Sequence, residues 1–173
     1  EPSAAALASQ NDGAMGTQED TRVMVVDFGG GTLDVSMVEM FDNIVEIHSI
    51  AGDNHLGGHD FDTVIQSWFI QDVGLEESRL SDIAKGSILR AAEECKQQLS
   101  QSSSGEADMS VNIGEKEYHA VLTEDILTKI SSDILRRFRE VITKAVADSG
   151  FSFRQDDPDS YINEIRLFGG SSK

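Results

Sequence analysis

The residues best suited to chemistry form a short run that is rich in glycine and acidic side chains, DFGGGTLD, at positions 27–34. Asp27 follows an apolar stretch, three consecutive glycines come next, and Thr32 and Asp34 complete the run. Glycine N–H groups can approach phosphate oxygens closely because no side chain shields them. Two carboxylates beside such a turn are suitable ligands for Mg²⁺, partly through bound water. The run therefore predicts a phosphate and magnesium site. The alternative is that the glycines form only a hairpin corner.

Strands on both sides are predicted to hold this run in place. Apolar, β-branched residues at 22–28 indicate a buried strand, and alternating patterns at 33–40 and 44–51 indicate two more strands in a meander. Because no helix follows the glycines, the run is neither a Walker loop nor a Rossmann fingerprint. A fourth strand is predicted at 164–168, directly before a second turn, Gly169-Gly170-Ser171.

Helices and one hairpin account for most of the remaining chain. A helix end at 3–8 and a polar loop at 9–21 precede the first strand. Apolar residues at helical spacing predict three later helices. The first begins at Gly57-Gly58, the second covers 79–101, and a long third one is capped by Thr123 and continues to Ala145, with a hairpin at 108–122 before it.

Composition limits the class of protein and of partner. The chain has 173 residues, 39% hydrophobic and 26% charged, which is typical of a globular protein, and no apolar run is long enough for a membrane helix. A net charge of −17 argues against nucleic acid and anionic membranes as partners, because phosphate contacts need a basic patch.

The lone Cys95 fits a reducing compartment and a buried structural thiol. We expect a cytoplasmic location. An organelle stays open, because both ends of the chain look cut.

Two further groups of polar residues have more than one interpretation. Glu93, Lys96 and Ser100 lie three or four residues apart, so they share one face of a helix. By themselves they indicate a solvated face with a Glu–Lys pair. His55 and His59 lie near several aspartates and suggest a metal site, but the glycines between them argue against one continuous helix presenting both. His48 and His119 are interpreted as ordinary strand residues.

Four segments, taken in order, resemble the nucleotide-binding domain of the 70-kDa heat-shock chaperones. They are EPSAAALA at 1–8, the DFGGGTLDVS strand pair, AGDNHLGGHDFD at 51–62 and IRLFGGSSK at 165–173. Three glycine motifs at comparable spacing are more specific than any one of them. The resemblance covers the whole chain, but less than half of such an ATPase domain.

The resemblance implies a partial α/β fold of the actin-like ATPase (ribonuclease H-like) class, with the chain as its second lobe. Residues 1–56 and 131–173 would form the core of that lobe. Residues 57–130 would form an inserted α+β subdomain. The first lobe, with its own phosphate loop and lysine, would be missing.

The resemblance also assigns roles to individual residues. Catalysis would fall to Glu1, Asp27 and Thr32, and Asp27 and Asp34 would bind Mg²⁺ or a monovalent cation such as K⁺. The residues implied to contact ATP or ADP are Gly29, Gly30, Gly31, Thr32, Gly58, Glu93, Lys96, Ser100, Gly169, Gly170, Ser171 and Lys173. Gln97 and Lys173 depart from the pattern, which has an arginine stacked on adenine at each position, and His59 replaces an acid.

The function implied is that of an ATP-dependent chaperone whose nucleotide state controls its binding of protein substrates. The parent protein would be an ATPase, and this chain alone would be inactive. Implied partners are a nucleotide-exchange factor on the inserted subdomain, a J-domain co-chaperone and unfolded clients. One alternative is a non-catalytic, nucleotide-gated partner chaperone, to which Gln97 points. A cytoskeletal or sugar-kinase relative is disfavoured by the spacing of the glycine motifs.

Overall fold

A computed structural model describes residues 21–41, 44–157 and 159–172 of the chain. The helix end predicted at 3–8 and all but the last residue of the loop predicted at 9–21 lie outside these residues. Glu1 and Lys173, two of the predicted site residues, also lie outside them. None of the helices in the described part of the chain is long and apolar enough to cross a membrane.

The described residues divide into two compact units. Unit one holds the residues up to Gly57 together with those from Arg137 onward, and unit two holds residues 58–136. Unit one contains a four-stranded sheet, and unit two contains helices and a two-stranded sheet. The prediction of a mixed α/β protein is confirmed.

The sheet of unit one is built around its first strand. β1 (Thr21–Phe28) pairs antiparallel with β2 (Leu33–Phe41) and parallel with β6 (Glu164–Phe168), while β3 (Ile44–Asp53) pairs antiparallel with β2 at one edge. The order across the sheet is therefore β3-β2-β1-β6. Residues 23–26 are all buried, which explains why the middle of β1 is continuously apolar rather than alternating. All four predicted strands are confirmed.

A helix packs on one face of this sheet from Arg137 onward. Helix α4 (Ser132–Ser149) contributes Phe138, whose ring lies edge-on to Phe28 at a centroid distance of 5.4 Å. The hydroxyl of Ser49 on β3 donates a hydrogen bond of 2.6 Å to the carbonyl oxygen of Ala145. The guanidinium of Arg137 donates to the Asp53 carboxylate at 2.6 Å. The contact between Arg137 and Asp53 fixes the end of β3, where the chain leaves the sheet.

Unit two buries one hydrophobic core between two helices and a hairpin. Helix α1 (Gly58–Asp72) contributes Ile65 and Phe69, and helix α2 (Asp82–Gln101) contributes Ile88 and Cys95. The hairpin strands are β4 (Glu106–Ile113) and β5 (Lys116–Thr123), and their alternating residues face the same core. The predicted helices and hairpin are therefore confirmed. A short 3₁₀ turn at Glu77–Arg79 precedes α2, which begins three residues later than predicted.

The long helix predicted after Thr123 is wrong in one respect, because it is interrupted. Helix α3 covers Glu124–Ile130 and α4 begins at Ser132. The Thr123 hydroxyl accepts a hydrogen bond of 3.2 Å from the Ile126 N–H and caps α3 as predicted. Ser131 has φ −94° and ψ 11°, although its N–H still donates to the Leu127 carbonyl at 3.0 Å. The apolar spacing continues through this kink, so periodicity could not reveal it.

Replacing Ser131 with alanine is expected to raise the free energy of unfolding by about 1 kcal/mol. The hydroxyl is buried and has no hydrogen-bond partner among the described residues, so the folded protein bears its desolvation cost. Denaturant unfolding followed by the fluorescence of Trp68, the single tryptophan, measures the change. The exposed neighbour is the control, and Ser132→Ala should change stability by no more than about 0.5 kcal/mol. A loss of stability in Ser131→Ala would show that the hydroxyl is satisfied.

Candidate functional site

The corner between β1 and β2 brings the two predicted metal ligands together. Asp27 and Asp34 are directly opposite each other in the register of these strands, and both are exposed. Residues 29–32 form the connection, which is closed by a hydrogen bond of 2.9 Å from the Gly29 N–H to the Thr32 carbonyl. Like charges at directly opposed positions of a sheet repel each other. A cation bound between the two carboxylates would remove that repulsion.

Two glycines, one on β3 and one just after β6, leave both carboxylates accessible. Gly52 on β3 lies opposite Asp34, and a Cβ atom there would stand 2.7 Å from Asp34 Oδ1. Gly169 follows β6, and a Cβ atom there would stand 2.8 Å from Asp27 Oδ1. A side chain at either position would press on a carboxylate oxygen. The absence of both side chains therefore keeps the two carboxylates free to bind a ligand.

The glycines of the corner itself have different surroundings. A Cβ atom at Gly30 or Gly31 would meet no atom within 4 Å, and neither residue has a positive φ. Packing among the described residues therefore does not require glycine at these positions. At Gly57, in contrast, a Cβ atom would stand 2.4 Å from the Gly31 backbone nitrogen. The chain thus supports the corner by backbone contact at Gly57 and leaves open space beside Gly30 and Gly31.

The second predicted turn lies beside the first because β6 runs parallel to β1. Asp27 is in register with Phe168, the residue immediately before Gly169. Gly169 has φ 90°, a conformation that L side chains rarely adopt. The Ser172 hydroxyl donates a hydrogen bond of 2.8 Å to the Gly169 carbonyl and closes a 3₁₀ turn at Gly170–Ser172. The structure therefore brings Asp27, Asp34 and both glycine turns together at one end of the strands of the unit-one sheet.

The other predicted contacts lie in unit two, on α1 and α2. Gly58 is the first residue of α1 and is buried, whereas Glu93 and Ser100 are exposed on α2. The Gln97 amide donates to Glu93 Oε1 at 3.5 Å, and the Ser100 hydroxyl donates to the Gln97 carbonyl at 2.9 Å. Glu93, Gln97 and Ser100 therefore do share one helix face, as their spacing predicts.

Lys96 has a structural partner that the sequence analysis missed. Its ammonium lies 2.5 Å from Oδ1 of Asp62, which is almost completely buried, and donates to the Gly58 carbonyl at 2.9 Å. The expected Glu–Lys pair on α2 is replaced by a link from α2 to the first turn of α1. Asp62 follows Gly58 by four residues, one helical turn, and that spacing was the available signal. Lys96 keeps a third N–H for another acceptor.

Electrostatic surroundings separate structural groups from candidate reactive ones. Burial raises the pKa of the Cys95 thiol to about 11, which agrees with its interpretation as a structural residue. The backbone N–H of His55 and the guanidinium of Arg137 hold the pKa of Asp53 below its ordinary value. Asp53 is thereby kept ionised at the end of β3. His59 Nδ1 lies 3.9 Å from the Asp62 carboxylate, beyond the length of a hydrogen bond.

Comparison with known families agrees with this arrangement. The family model described as Hsp70 protein matches residues 1–173, the whole sequence. The chain belongs to the Hsp70 family. The resemblance based on the glycine motifs is confirmed. Hsp70 membership suggests an ATP-dependent chaperone nucleotide-binding domain, and the mixed α/β structure is consistent with the actin-like ATPase fold that the family implies.

The donor set at the β1–β2 corner suits the cofactors of the Hsp70 family, which generally binds ATP or ADP with Mg²⁺. Two exposed carboxylates offer the oxygen ligands that hard cations prefer. Open space beside Gly30 and Gly31 allows close approach of a phosphate to the backbone. The residues at the corner of unit one are therefore suited to bind a nucleotide with Mg²⁺.

Proposed function

We propose that this chain is the second lobe of an actin-like Hsp70 ATPase and binds ATP or ADP with Mg²⁺ at the β1–β2 corner. The observation that carries the proposal is the pair Asp27 and Asp34, facing each other beside glycines that leave open space. A hairpin corner that served only to reverse the chain would not need two opposed carboxylates at its base.

In this proposal, each residue of the corner has its own role in binding the nucleotide or in orienting water. The N–H groups of Gly30 and Gly31 donate to phosphate oxygens, while the Gly29 N–H stays bonded to the Thr32 carbonyl and holds the turn. The N–H groups of the Gly169–Ser171 turn donate from the neighbouring strand end. Asp27 orients metal-bound water, and Thr32 holds the attacking water or the terminal phosphate through its hydroxyl. Asp34 binds Mg²⁺ or K⁺. When bound by these residues, Mg²⁺ would supply positive charge to offset the negative charge of the phosphates.

The family resemblance assigns the nucleoside to residues on α2. Glu93 and Ser100 contact the ribose, and Lys96 contributes its remaining N–H while it stays paired with Asp62. Gln97 offers an amide where a guanidinium would stack on adenine more strongly. This residue favours the second candidate, a non-catalytic partner chaperone gated by nucleotide. ATP turnover by an intact protein that contains both lobes distinguishes the two.

The wider role follows from the Hsp70 family, whose members generally work with co-chaperones and clients. We propose that nucleotide bound at the corner controls the binding of unfolded protein clients, with a J-domain co-chaperone as partner. A nucleotide-exchange factor would bind the α+β subdomain inserted at about 57–130, which approximates unit two. We place the protein in the cytoplasm.

Titration of the isotope-labelled chain with MgADP, followed by NMR, tests the proposal. We expect shifts at the amides of Gly29–Gly31, Gly169 and Gly170, with a Kd no tighter than about 10 μM and no hydrolysis of ATP. Affinity is weak because one lobe contacts the phosphates from one side, and a net charge of −17 repels a polyanion. Unperturbed corner amides at millimolar nucleotide would overturn the proposal.

A pair of glycine variants separates binding from folding. Gly30→Ala should leave the free energy of unfolding within about 0.5 kcal/mol of wild type but raise the Kd for MgADP about tenfold. The reason is that the added methyl group fills space that no described residue uses. Gly86 on α2 has similarly open surroundings outside the corner, so Gly86→Ala should leave the Kd unchanged. Equal affinity in both variants would contradict a phosphate cradle at Gly30.

A further inference from the structure

A row of charged residues crosses the unit-one sheet at the end remote from the corner. Glu39 on β2 is in register with Arg22 on β1 and with Glu46 on β3. Glu39 lies five positions after Asp34 along β2, which corresponds to about 17 Å. The row contains two carboxylates and one guanidinium, so it has an excess of negative charge. Carboxylates directly opposite each other destabilise a strand pair unless a cation lies between them.

His48 completes this row as a third ligand-bearing side chain. The pairing of β2 with β3 shifts between Met37 and Val38, and the extra residue on β3 is His48. Such a bulge redirects a side chain. His48 Nε2 lies 3.1 Å from Glu39 Oε2. One ligand atom from each of Glu39, Glu46 and His48 lies within 4.8 Å of the other two.

These distances are close to those of a tetrahedral metal site. Ligand atoms at about 2.1 Å from Zn²⁺ are about 3.4 Å apart. The atoms of Glu39 and His48 already satisfy this spacing. The exposed Glu46 side chain can supply the third ligand by a change of rotamer, without movement of the backbone. The fourth position would be open to water.

Neighbouring residues hold two of the three ligands in orientation. Arg22 Nε lies 2.9 Å from Glu39 Oε1, which leaves Oε2 directed at His48. The backbone of Arg22 is fixed in turn by two hydrogen bonds with Asn163, of 2.7 and 2.9 Å. The ring of Phe151 packs against the imidazole at a centroid distance of 4.6 Å. A hydrogen-bonded partner such as Arg22 is typical of a carboxylate that binds a metal.

We propose that Glu39, Glu46 and His48 form a binding site for a divalent transition metal of the Zn²⁺ type. An imidazole with two carboxylates suits Zn²⁺, whereas Mg²⁺ prefers oxygen ligands and retains its water. The ion joins the edge strand β3 to β2 and offsets the repulsion between the two glutamates. This site is independent of the nucleotide proposal, because it shares no residue with the corner.

Zn²⁺ titration of the chain by calorimetry, in buffer with millimolar Mg²⁺, tests the site. Mg²⁺ occupies hard-cation sites such as the corner, so they do not contribute to the signal. We expect one Zn²⁺ per chain with a Kd in the micromolar range and an increase in Tm on binding. Co²⁺ in place of Zn²⁺ should give a visible absorption band of a four-coordinate ion.

Three variants identify the ligands. Glu46→Gln alters only an exposed side chain and should weaken Zn²⁺ binding at least tenfold, whereas His48→Gln should abolish it. His119→Gln is the matched control: His119 Nε2 lies 3.3 Å from a Glu117 carboxylate oxygen on β5, but the pair is not part of a three-ligand cluster among the described residues. This variant should bind Zn²⁺ as the wild type does. Absence of Zn²⁺ binding, or binding that survives both Glu46→Gln and His48→Gln, would overturn the assignment.

Discussion

Replacing Gly169 with alanine is expected to destabilise the unit-one sheet by about 3 kcal/mol or more. The residue has φ 90°, and an added Cβ atom would stand 2.2 Å from the carbonyl oxygen of Phe28 and 2.5 Å from its carbonyl carbon. Both contacts are with backbone, so no side-chain rotation can relieve them. The strand end that carries Asp27 must therefore move. Hydrogen exchange at the amides of Val25 and Val26, measured by NMR, should show the loss of protection.

The adjacent glycine provides the control for this variant. Gly170 has no positive φ, and a Cβ atom there would meet nothing within 4 Å. Gly170→Ala should therefore stay within about 0.5 kcal/mol of wild type. Equal stability of the two alanine variants would contradict the close approach of the Gly169 turn to β1, and with it the placement of this turn beside Asp27.

Replacing Asp27 with asparagine is expected to reduce ATP turnover at least tenfold in an intact ATPase that contains this chain. A tenfold loss corresponds to about 1.4 kcal/mol of barrier. Asparagine keeps the shape of the side chain but removes the charge that orients metal and water in the proposed site. Folding should be spared, because Asp27 is exposed and its removal relieves repulsion from Asp34. Single-turnover hydrolysis together with thermal unfolding measures both effects.

An exposed carboxylate elsewhere controls for the change of net charge. Asp72 ends helix α1 in unit two, and Asp72→Asn should hydrolyse ATP at the wild-type rate. The Asp27 variant should also need a higher Mg²⁺ concentration for half-maximal turnover, which a merely structural role would not produce. Wild-type single-turnover rates in Asp27→Asn would remove this residue from the mechanism.

The local sequence pattern was sufficient to predict the helices and strands and to identify the corner motif. The strand at 164–168 has the predicted bounds, and β2 differs from its predicted span by one residue. Side-chain alternation and apolar spacing are properties of consecutive residues, so they can be recognised without knowledge of the fold. The glycine run identified the β1–β2 corner for the same reason, and the order of the glycine motifs identified the Hsp70 family.

Side-chain contacts between different helices or strands could be recognised only from the tertiary structure. Lys96 was predicted on a solvated face with Glu93, yet it contacts Asp62 on another helix. His48 was interpreted as an ordinary strand residue, yet it lies with Glu39 and Glu46. The register of β2 against β3 depends on the bulge at His48, which neither strand's pattern reveals.

The sequence by itself therefore determined the elements, the family and the identity of the corner residues. The tertiary structure alone decided that Gly52 and Gly169 flank the two carboxylates, and that the β6 turn lies beside β1. It also decided where the last helix is interrupted, at a serine inside a continuous apolar pattern. The physical reason is that periodicity reports which face of an element is buried. Contacts between residues far apart in sequence depend on register and backbone approach, which periodicity does not encode.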